Sequence, residues 1–345
     1  MAMNFKEGRW NHEINVTDFV KTNITPYEGD ASFLVGPTER TKAVWNKCLE
    51  ALAEERANNG VRSLDPSTVS TITSFAPGYI DKENEVIVGL QTDEVLRRAI
   101  KPFGGIKVVE KACRENGVEV DPKVKDIFTH YRKTHNDGVF DAYTEEIRSF
   151  RSLGFLTGLP DNYARGRIIG DYRRLALYGL DRLIEAKQND LRHLTGPMTD
   201  ARIRLREEVA EQIKALKEIK IMGEQYGLEL GRPAHNAQEA VQWVYMAYLA
   251  AVKEQDGAAM SLGNVSSFLD IYIEYDMAHG LLDEAHAQEL IDQFVIKLRM
   301  VRHLRMQAYT DIFAGDPTWV TESIGGRFND GRTKVTKTSF RFLQT

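Results

Sequence analysis

One segment near the middle of the chain restricts the fold more than any other. Between Ala240 and Val252 the sequence AVQWVYMAYLAAV is apolar at almost every position. A helix that is apolar on all sides must be surrounded by other protein. The chain has 345 residues, which is enough to enclose such a helix in a large core. We therefore expect this segment to form a central, buried helix.

Further helices are predicted around it from apolar periodicity and capping residues. They are expected at 38–57, 107–116 and 199–226, from Asp121 with Pro122 in the first turn, across 171–191 despite Gly179, and after Asp283. Strand-like patterns are fewer, and they lie near Val88, near Ile271 and in the closing segment KVTKTSFRFL. The sequence therefore predicts an α/β fold that is rich in helix.

Charge and composition exclude several classes of protein. The net charge is −5 and the isoelectric point is about 6.0, which disfavours a nucleic-acid surface or a basic membrane-binding face. The N-terminus lacks the apolar core of a signal peptide. No segment approaches the roughly 20 apolar residues that a membrane span needs. We expect a cytoplasmic protein without nucleic-acid or membrane partners.

The usual catalytic and metal-binding motifs are absent from the sequence. It contains no glycine-rich phosphate loop, no GxSxG elbow and no HExxH pair. The eight histidines are scattered, so no bound metal is expected. Cys48 and Cys113 lie in helix-like segments without a CxxC pattern. We expect both to be reduced and partly buried, not disulfide-bonded or catalytic.

The most unusual segment is TGLPDNYARGRIIGDYRR, at 157–174, which combines three glycines with four arginines. Glycines let the backbone approach a ligand closely, and a guanidinium group grips a carboxylate with two hydrogen bonds. The pattern fits a carboxylate or phosphate clamp. It fits equally a surface loop whose arginines pair with Asp161 and Asp171.

Two later segments also suggest a pocket. QDGAAMSLGN, at 255–264, places small residues directly after the apolar helix, and IFAGDPTWVTESIGG, at 312–326, sets aromatic residues on both sides of a turn. Small residues leave room for a ligand or for another helix. Aromatic residues line a pocket or fill a core, so ordinary packing explains both patterns as well.

These segments, together with TPYEGDASFLVGPTE, PFGGIK, FTHYRKTHNDGVFDAYT, IRLREE and KLRMVRHLR, resemble the pyruvate formate-lyase family. The matching motifs occur in order from about residue 10 to the last residue. The resemblance implies the N-terminal half of a glycyl-radical-enzyme α/β barrel, a half-barrel surrounded by helices. It also implies cleavage of pyruvate with coenzyme A to formate and acetyl-CoA, with the radical installed by a separate radical-SAM activating enzyme.

The resemblance also implies roles for individual residues. Arg167 matches the arginine that holds the pyruvate carboxylate, and Ala258 matches the residue that contacts the substrate methyl. Phe313 and Trp319 match the aromatic lining of the pocket. Phe140 and Arg151 are the candidates for the coenzyme A surface. Asn264 and Tyr275 stand where many members have arginine, so we expect a looser ion-pair network there.

The family's adjacent cysteine pair and its radical glycine motif do not occur in this sequence, and Cys48 and Cys113 do not match them. We therefore expect 1–345 to be one domain, the N-terminal portion of a longer, homodimeric enzyme, and to be inactive alone because the nucleophile is missing. Two alternatives remain open. The chain could be a non-catalytic structural half, or its family member could act on 2-ketobutyrate.

Overall fold

Helices make up most of the backbone in the computed structural model, which describes residues 3–100, 105–132, 143–156, 170–254, 260–312 and 320–345. The helices are α1 (Val16–Asn23), α2 (Glu39–Ala57), α3 (Ile106–Glu115), α4 (Pro122–Asp126), α5 (Glu145–Ser152), α6 (Arg173–His193), α7 (Asp200–Gln225), α8 (Ala237–Glu254), α9 (Ser266–Ala278), α10 (Glu284–Arg299), α11 (Gln307–Ile312) and α12 (Lys337–Gln344). A π-helical turn, Ile127–Tyr131, continues α4.

The helix starts follow local capping chemistry. Side chains of Thr38, Asp121, Thr199 and Asp283 each accept a hydrogen bond from the backbone N–H two or three residues ahead. Such caps satisfy backbone donors that a helix leaves without intrahelical partners, and each stabilises its helix by about 1 kcal/mol. The starts of the helices predicted from these residues are confirmed to within one residue.

Helix α8 is the centre of the main core. It packs against α6, α7, α9 and α10, and most of its side chains are buried. Aromatic and aliphatic residues from these helices form one continuous apolar cluster. A helix enclosed in this way needs no polar face, which is why its sequence shows no amphipathic period. The predicted central helix is confirmed.

The sheet in the described residues has two parallel strands, β1 (Ser63–Val69) and β2 (Arg97–Ile100). Their register is interrupted between Leu64 and Val69. The side chain of Asp65 accepts hydrogen bonds from Ser67 N at 2.7 Å and Thr68 N at 3.1 Å. Pro66 has no N–H group, and Ser67 and Thr68 donate theirs to the Asp65 side chain. This part of β1 therefore does not continue the ladder of hydrogen bonds with β2.

The three predicted strands are wrong. The segment around Ile271 is helix α9, and most of the closing segment is helix α12. The segment near Val88 has no regular secondary structure and lies outside the sheet. Its backbone is bonded by side chains: Gln242 accepts from Val88 N at 2.7 Å and donates to Val88 O at 2.9 Å. Tyr245 donates to Gly89 O at 3.0 Å.

Helix α6 is interrupted at Gly179, where the backbone takes φ +70° and ψ 162°. The chain approaches 230–234 so closely that a Cβ on Gly179 would lie 2.4 Å from Gly231 O. Leu180 N donates to Leu230 O at 2.9 Å across this contact. Only glycine combines this conformation with such a close approach. The kink therefore fixes α6 against the connection that leads into α8.

Several charged groups are buried, and they are paired. Lys297 and Glu85 are 1% and 0% exposed, and Lys297 Nζ lies 2.8 Å from Glu85 Oε2. Arg302 binds both carboxylate oxygens of Glu55, and Arg98 binds one of them. A buried charge without a partner is costly, so these pairs hold α10 against the segment around Glu85, and α2 against β2 and the residues that follow α10.

Candidate functional site

Five of the six predicted site residues lie outside the described part of the chain. They are Arg167, Ala258, Phe313, Trp319 and Phe140. Arg151 is described: it lies in α5, and its guanidinium is 5.6 Å from the ring centre of Tyr143. Several residues that adjoin the other predicted segments lie in the described part of the chain.

Backbone hydrogen bonds join the residues that follow two of the predicted segments. Leu262 N donates to Thr321 O at 2.9 Å, and Ser323 N donates to Gly263 O at 2.5 Å. Gly263 and Glu322 form a parallel bridge. Residues 262–263, which follow the Ala258 segment, and residues 321–323, which follow the Trp319 segment, are therefore hydrogen-bonded side by side. We call this contact, together with Arg173, the loop junction (Arg173, 262–266 and 321–323).

Glu322 connects the loop junction to the start of α9. Its carboxylate accepts hydrogen bonds from Val265 N and Ser266 N, each at 2.8 Å. It thus caps a helix that has no local side-chain cap. Burial raises the pKa of Glu322 to about 7, while the hydrogen bonds from Ser266 and Val265 oppose the rise. The carboxyl group therefore titrates near neutral pH.

Arg173 brings a third segment to the same place. It lies close after 157–169, and its Nη1 donates to Asn264 O at 3.2 Å while its Nε binds Asp171 Oδ1 at 2.7 Å. Asn264 in turn donates from Nδ2 to Ser323 O at 2.6 Å. The residues adjoining the Arg167, Ala258 and Trp319 segments are therefore connected through one set of hydrogen bonds.

A second contact joins the ends of other segments. Arg132, directly before 133–142, donates to Glu254 O at 3.1 Å and lies 3.1 Å from Glu254 Oε1. The hydroxyl of Ser70, at the end of β1, donates to Lys253 O at 2.8 Å. Ser70 N donates to Ile100 O at the end of β2. The C-terminal end of α8 thus lies at the carboxyl edge of the sheet.

Neither cysteine has the properties of a reactive thiol. Both are free and buried, and burial raises the pKa of Cys48 to about 12 although Lys297 opposes it. Burial also raises the pKa of Cys113. A thiolate is the nucleophilic form, so both side chains are structural. The described residues contain no group of three or more His, Cys, Asp or Glu side chains arranged to hold a metal ion.

Three residues of this region carry no strong signal in the sequence. Glu322 caps a helix that begins 56 residues earlier in the chain, so no local motif marks it. Lys253 directly follows the apolar run of α8 and is only 2% exposed. Lysine is seldom buried without a partner, but a lysine at the end of an apolar run gives no sign in the sequence that it is buried. Asn264 was marked only as a departure from the family pattern.

The sequence and the fold place the chain in a known class. Residues 7–345 match the family model "Pyruvate formate lyase-like", so the chain belongs to that family. Among curated proteins, it is 56% identical over 346 residues to the formate acetyltransferase of Haemophilus influenzae. The match covers 99% of this chain and 45% of that protein, so the chain spans about half the length of its relative.

Solved structures agree on the fold. The chain superposes on the B12-independent glycerol dehydratase of Clostridium butyricum with a TM-score of 0.65 at 18% identity, covering 91% of this chain and 46% of that one. The 1,2-propanediol dehydration enzyme of Roseburia inulinivorans gives a TM-score of 0.60 at 17% identity, covering 91% and 44%. The expected fold, an N-terminal portion of the glycyl-radical-enzyme α/β barrel, is confirmed. In the described part of the chain no helix is both long and apolar enough to cross a membrane.

Proposed function

We propose that this chain forms the substrate-binding half of a formate C-acetyltransferase, which converts pyruvate and coenzyme A to acetyl-CoA and formate. The observation that carries the proposal is the 56% identity to formate acetyltransferase over 99% of this chain. The loop junction supports it, because residues next to the Arg167, Ala258 and Trp319 segments are bonded together.

In this proposal the side chains of this chain bind and orient the substrate. The guanidinium of Arg167 pairs with the pyruvate carboxylate through two hydrogen bonds. Ala258 leaves room for the methyl group, and Phe313 and Trp319 exclude water from the reacting carbonyl. Phe140 and Arg151 contact coenzyme A at the entrance. Positioning of this kind converts a bimolecular encounter into a favourable intramolecular geometry.

The radical chemistry requires groups that Cys48 and Cys113 cannot supply, because both are buried and their thiol pKa values are raised. A glycyl radical and an adjacent cysteine pair, supplied by the rest of a full-length family member, would provide the thiyl group that attacks the pyruvate carbonyl. A radical-SAM activating enzyme would install the radical. We further propose that 1–345 is one domain and that the complete enzyme is a cytoplasmic homodimer.

An anaerobic complementation assay tests this division of roles. The chain is mixed with the C-terminal portion of the Haemophilus enzyme, the activating enzyme, pyruvate and coenzyme A, and formate is measured. We expect formate only from the mixture and none from the chain alone. Arg167→Lys should lower kcat/KM at least tenfold, because lysine cannot form the bidentate pair. Arg204→Lys, at an exposed ion pair with Asp200, is the matched control.

The outcomes separate this proposal from its alternatives. If the complemented mixture produces no formate, the chain is a structural half and the proposal fails. A comparison of kcat/KM for pyruvate and 2-ketobutyrate addresses substrate choice. One methylene is worth roughly 1–3 kcal/mol in a closed pocket, so we expect a preference for pyruvate of at least about tenfold.

A further inference from the structure

Lys253 is the most unusual charged residue in the described part of the chain. It lies one residue before the end of α8 and is only 2% exposed. Taking an ammonium group out of water costs several kcal/mol unless an opposite charge or strong hydrogen bonds replace the lost solvent. A lysine at this degree of burial therefore requires a physical explanation.

The described residues provide no partner for it. Lys297, which is buried to the same degree, lies 2.8 Å from Glu85 Oε2. No side chain or carbonyl among the described residues makes an equivalent contact with Lys253 Nζ. Its main-chain carbonyl accepts a hydrogen bond from the hydroxyl of Ser70. Burial lowers the pKa of Lys253 to about 8, and no charge in the described part of the chain opposes the shift.

The residue next to Lys253 in the chain already has a partner. Glu254 follows Lys253 directly, but its carboxylate lies 3.1 Å from Arg132 Nη2. That pair contributes no net charge, so Lys253 is left as the uncompensated charge among the residues described at the end of α8. One monoanion would neutralise it, whereas a phosphate dianion would leave a net negative charge in the same environment.

The position of Lys253 also indicates a ligand. Ser70 and Ile100 mark the carboxyl ends of the two parallel strands, and Ser70 binds the backbone of Lys253. In α/β proteins, ligands bind outside the carboxyl ends of parallel strands. A buried lysine at this edge, with no partner for its ammonium group among the described residues, is suited to receive an anion.

We propose that Lys253 is a substrate-binding residue whose ammonium group contacts the carboxylate of a small 2-oxo acid. The identity of the acid rests on the proposed function. The bound carboxylate supplies the partner that the fold lacks, and the ion pair favours the protonated lysine. Binding should therefore take up protons near pH 8.

Calorimetric titration of the 345-residue chain with pyruvate tests the proposal. Lys253→Met should weaken binding by roughly ten- to a hundredfold, the usual effect of losing a hydrogen bond to a charged group. At pH 8 the unmodified chain should take up about half a proton per pyruvate bound, and Lys253→Met should take up none. Lys187→Met, at an exposed pair with Asp190, is the control.

Misfolding would not mimic this result, because removal of an unpaired buried charge should leave the melting temperature unchanged or higher. Equal affinity of Lys253→Met and the unmodified chain, with Arg167→Met impaired, would overturn the role of Lys253 and leave the proposed function intact. If the unmodified chain binds no pyruvate, both fail. Competition by phosphate as strong as that by acetate, or borohydride trapping of pyruvate on Lys253, would also overturn the proposed ionic contact.

Discussion

Replacement of Glu85 by glutamine should expose how strongly the core depends on its buried ion pair. Glu85 Oε1 accepts hydrogen bonds from Ile80 N and Asp81 N, while Oε2 lies 2.8 Å from Lys297 Nζ. Glutamine can keep the first two bonds through its amide oxygen. Its NH₂ group would then face the ammonium group, so Lys297 would be buried without a counterion.

The cost has an upper limit that depends on pH. Burial already lowers the pKa of Lys297 from its ordinary value of 10.5, and Glu85 opposes this change. Without Glu85, Lys297 can become neutral in the folded protein by losing its proton. This deprotonation costs about 5 kcal/mol at pH 7, relative to the unfolded chain, and about 2 kcal/mol at pH 9. We therefore expect Glu85→Gln to destabilise by about 3–5 kcal/mol at pH 7 and clearly less at pH 9.

Guanidinium denaturation followed by tryptophan fluorescence at pH 7, 8 and 9 measures these values. The double variant Glu85→Gln/Lys297→Met, which is neutral, should recover most of the loss. Glu211→Gln removes the exposed pair with Lys214 and should cost no more than about 0.5 kcal/mol. A loss that does not change with pH, or a double variant no better than the single one, would refute the reasoning.

Three further predictions concern the kink, the loop junction and Lys253. Gly179→Ala should lower the free energy of unfolding by about 3 kcal/mol or more in a denaturation experiment, because the new Cβ would lie 2.4 Å from Gly231 O at a positive φ. Gly117 has the same φ of +70° but open space around it, so Gly117→Ala should cost only about 1 kcal/mol. The raised pKa of Glu322 contributes stability below pH 4.5 that is lost as the pH rises through about 7. Relative to Glu322→Gln, the unmodified chain should therefore lose about 2 kcal/mol between pH 5 and pH 8, after allowance for partial exposure, and a constant difference would contradict this. Lys253→Met should raise the free energy of unfolding by about 3 kcal/mol below pH 8, with the gain fading between pH 8 and pH 10.5.

The sequence identified the segments of the candidate site but not the contacts that join them. The glycine- and arginine-rich segment, the GAAMS segment and the GDPTW segment were all marked by composition and by resemblance. Ordinary packing explained the last two equally well. The hydrogen bonds of Arg173, Asn264 and Glu322 connect residues 57 to 91 positions apart, and no local pattern encodes such distances.

Elements with local signals were predicted well. The caps at Thr38, Thr199 and Asp283 stand in the sequence itself, because a capping side chain and the N–H group it binds are three residues apart. The buried helix α8 was also evident, because a long apolar run cannot remain in water. Family membership follows from the same kind of information, an ordered series of short motifs.

The structure alone decided the elements whose support comes from elsewhere in the chain. Helix α9 was predicted as a strand because its β-branched and aromatic residues suit strands, and its cap is supplied by the distant Glu322. Strand β1 was missed because it contains Asp65 and Pro66, and its parallel partner lies about 30 residues away. The sequence determined which segments are apolar, capped or rich in arginine. Tertiary packing determined which of them pair, because burial and long-range hydrogen bonds outweigh local preference.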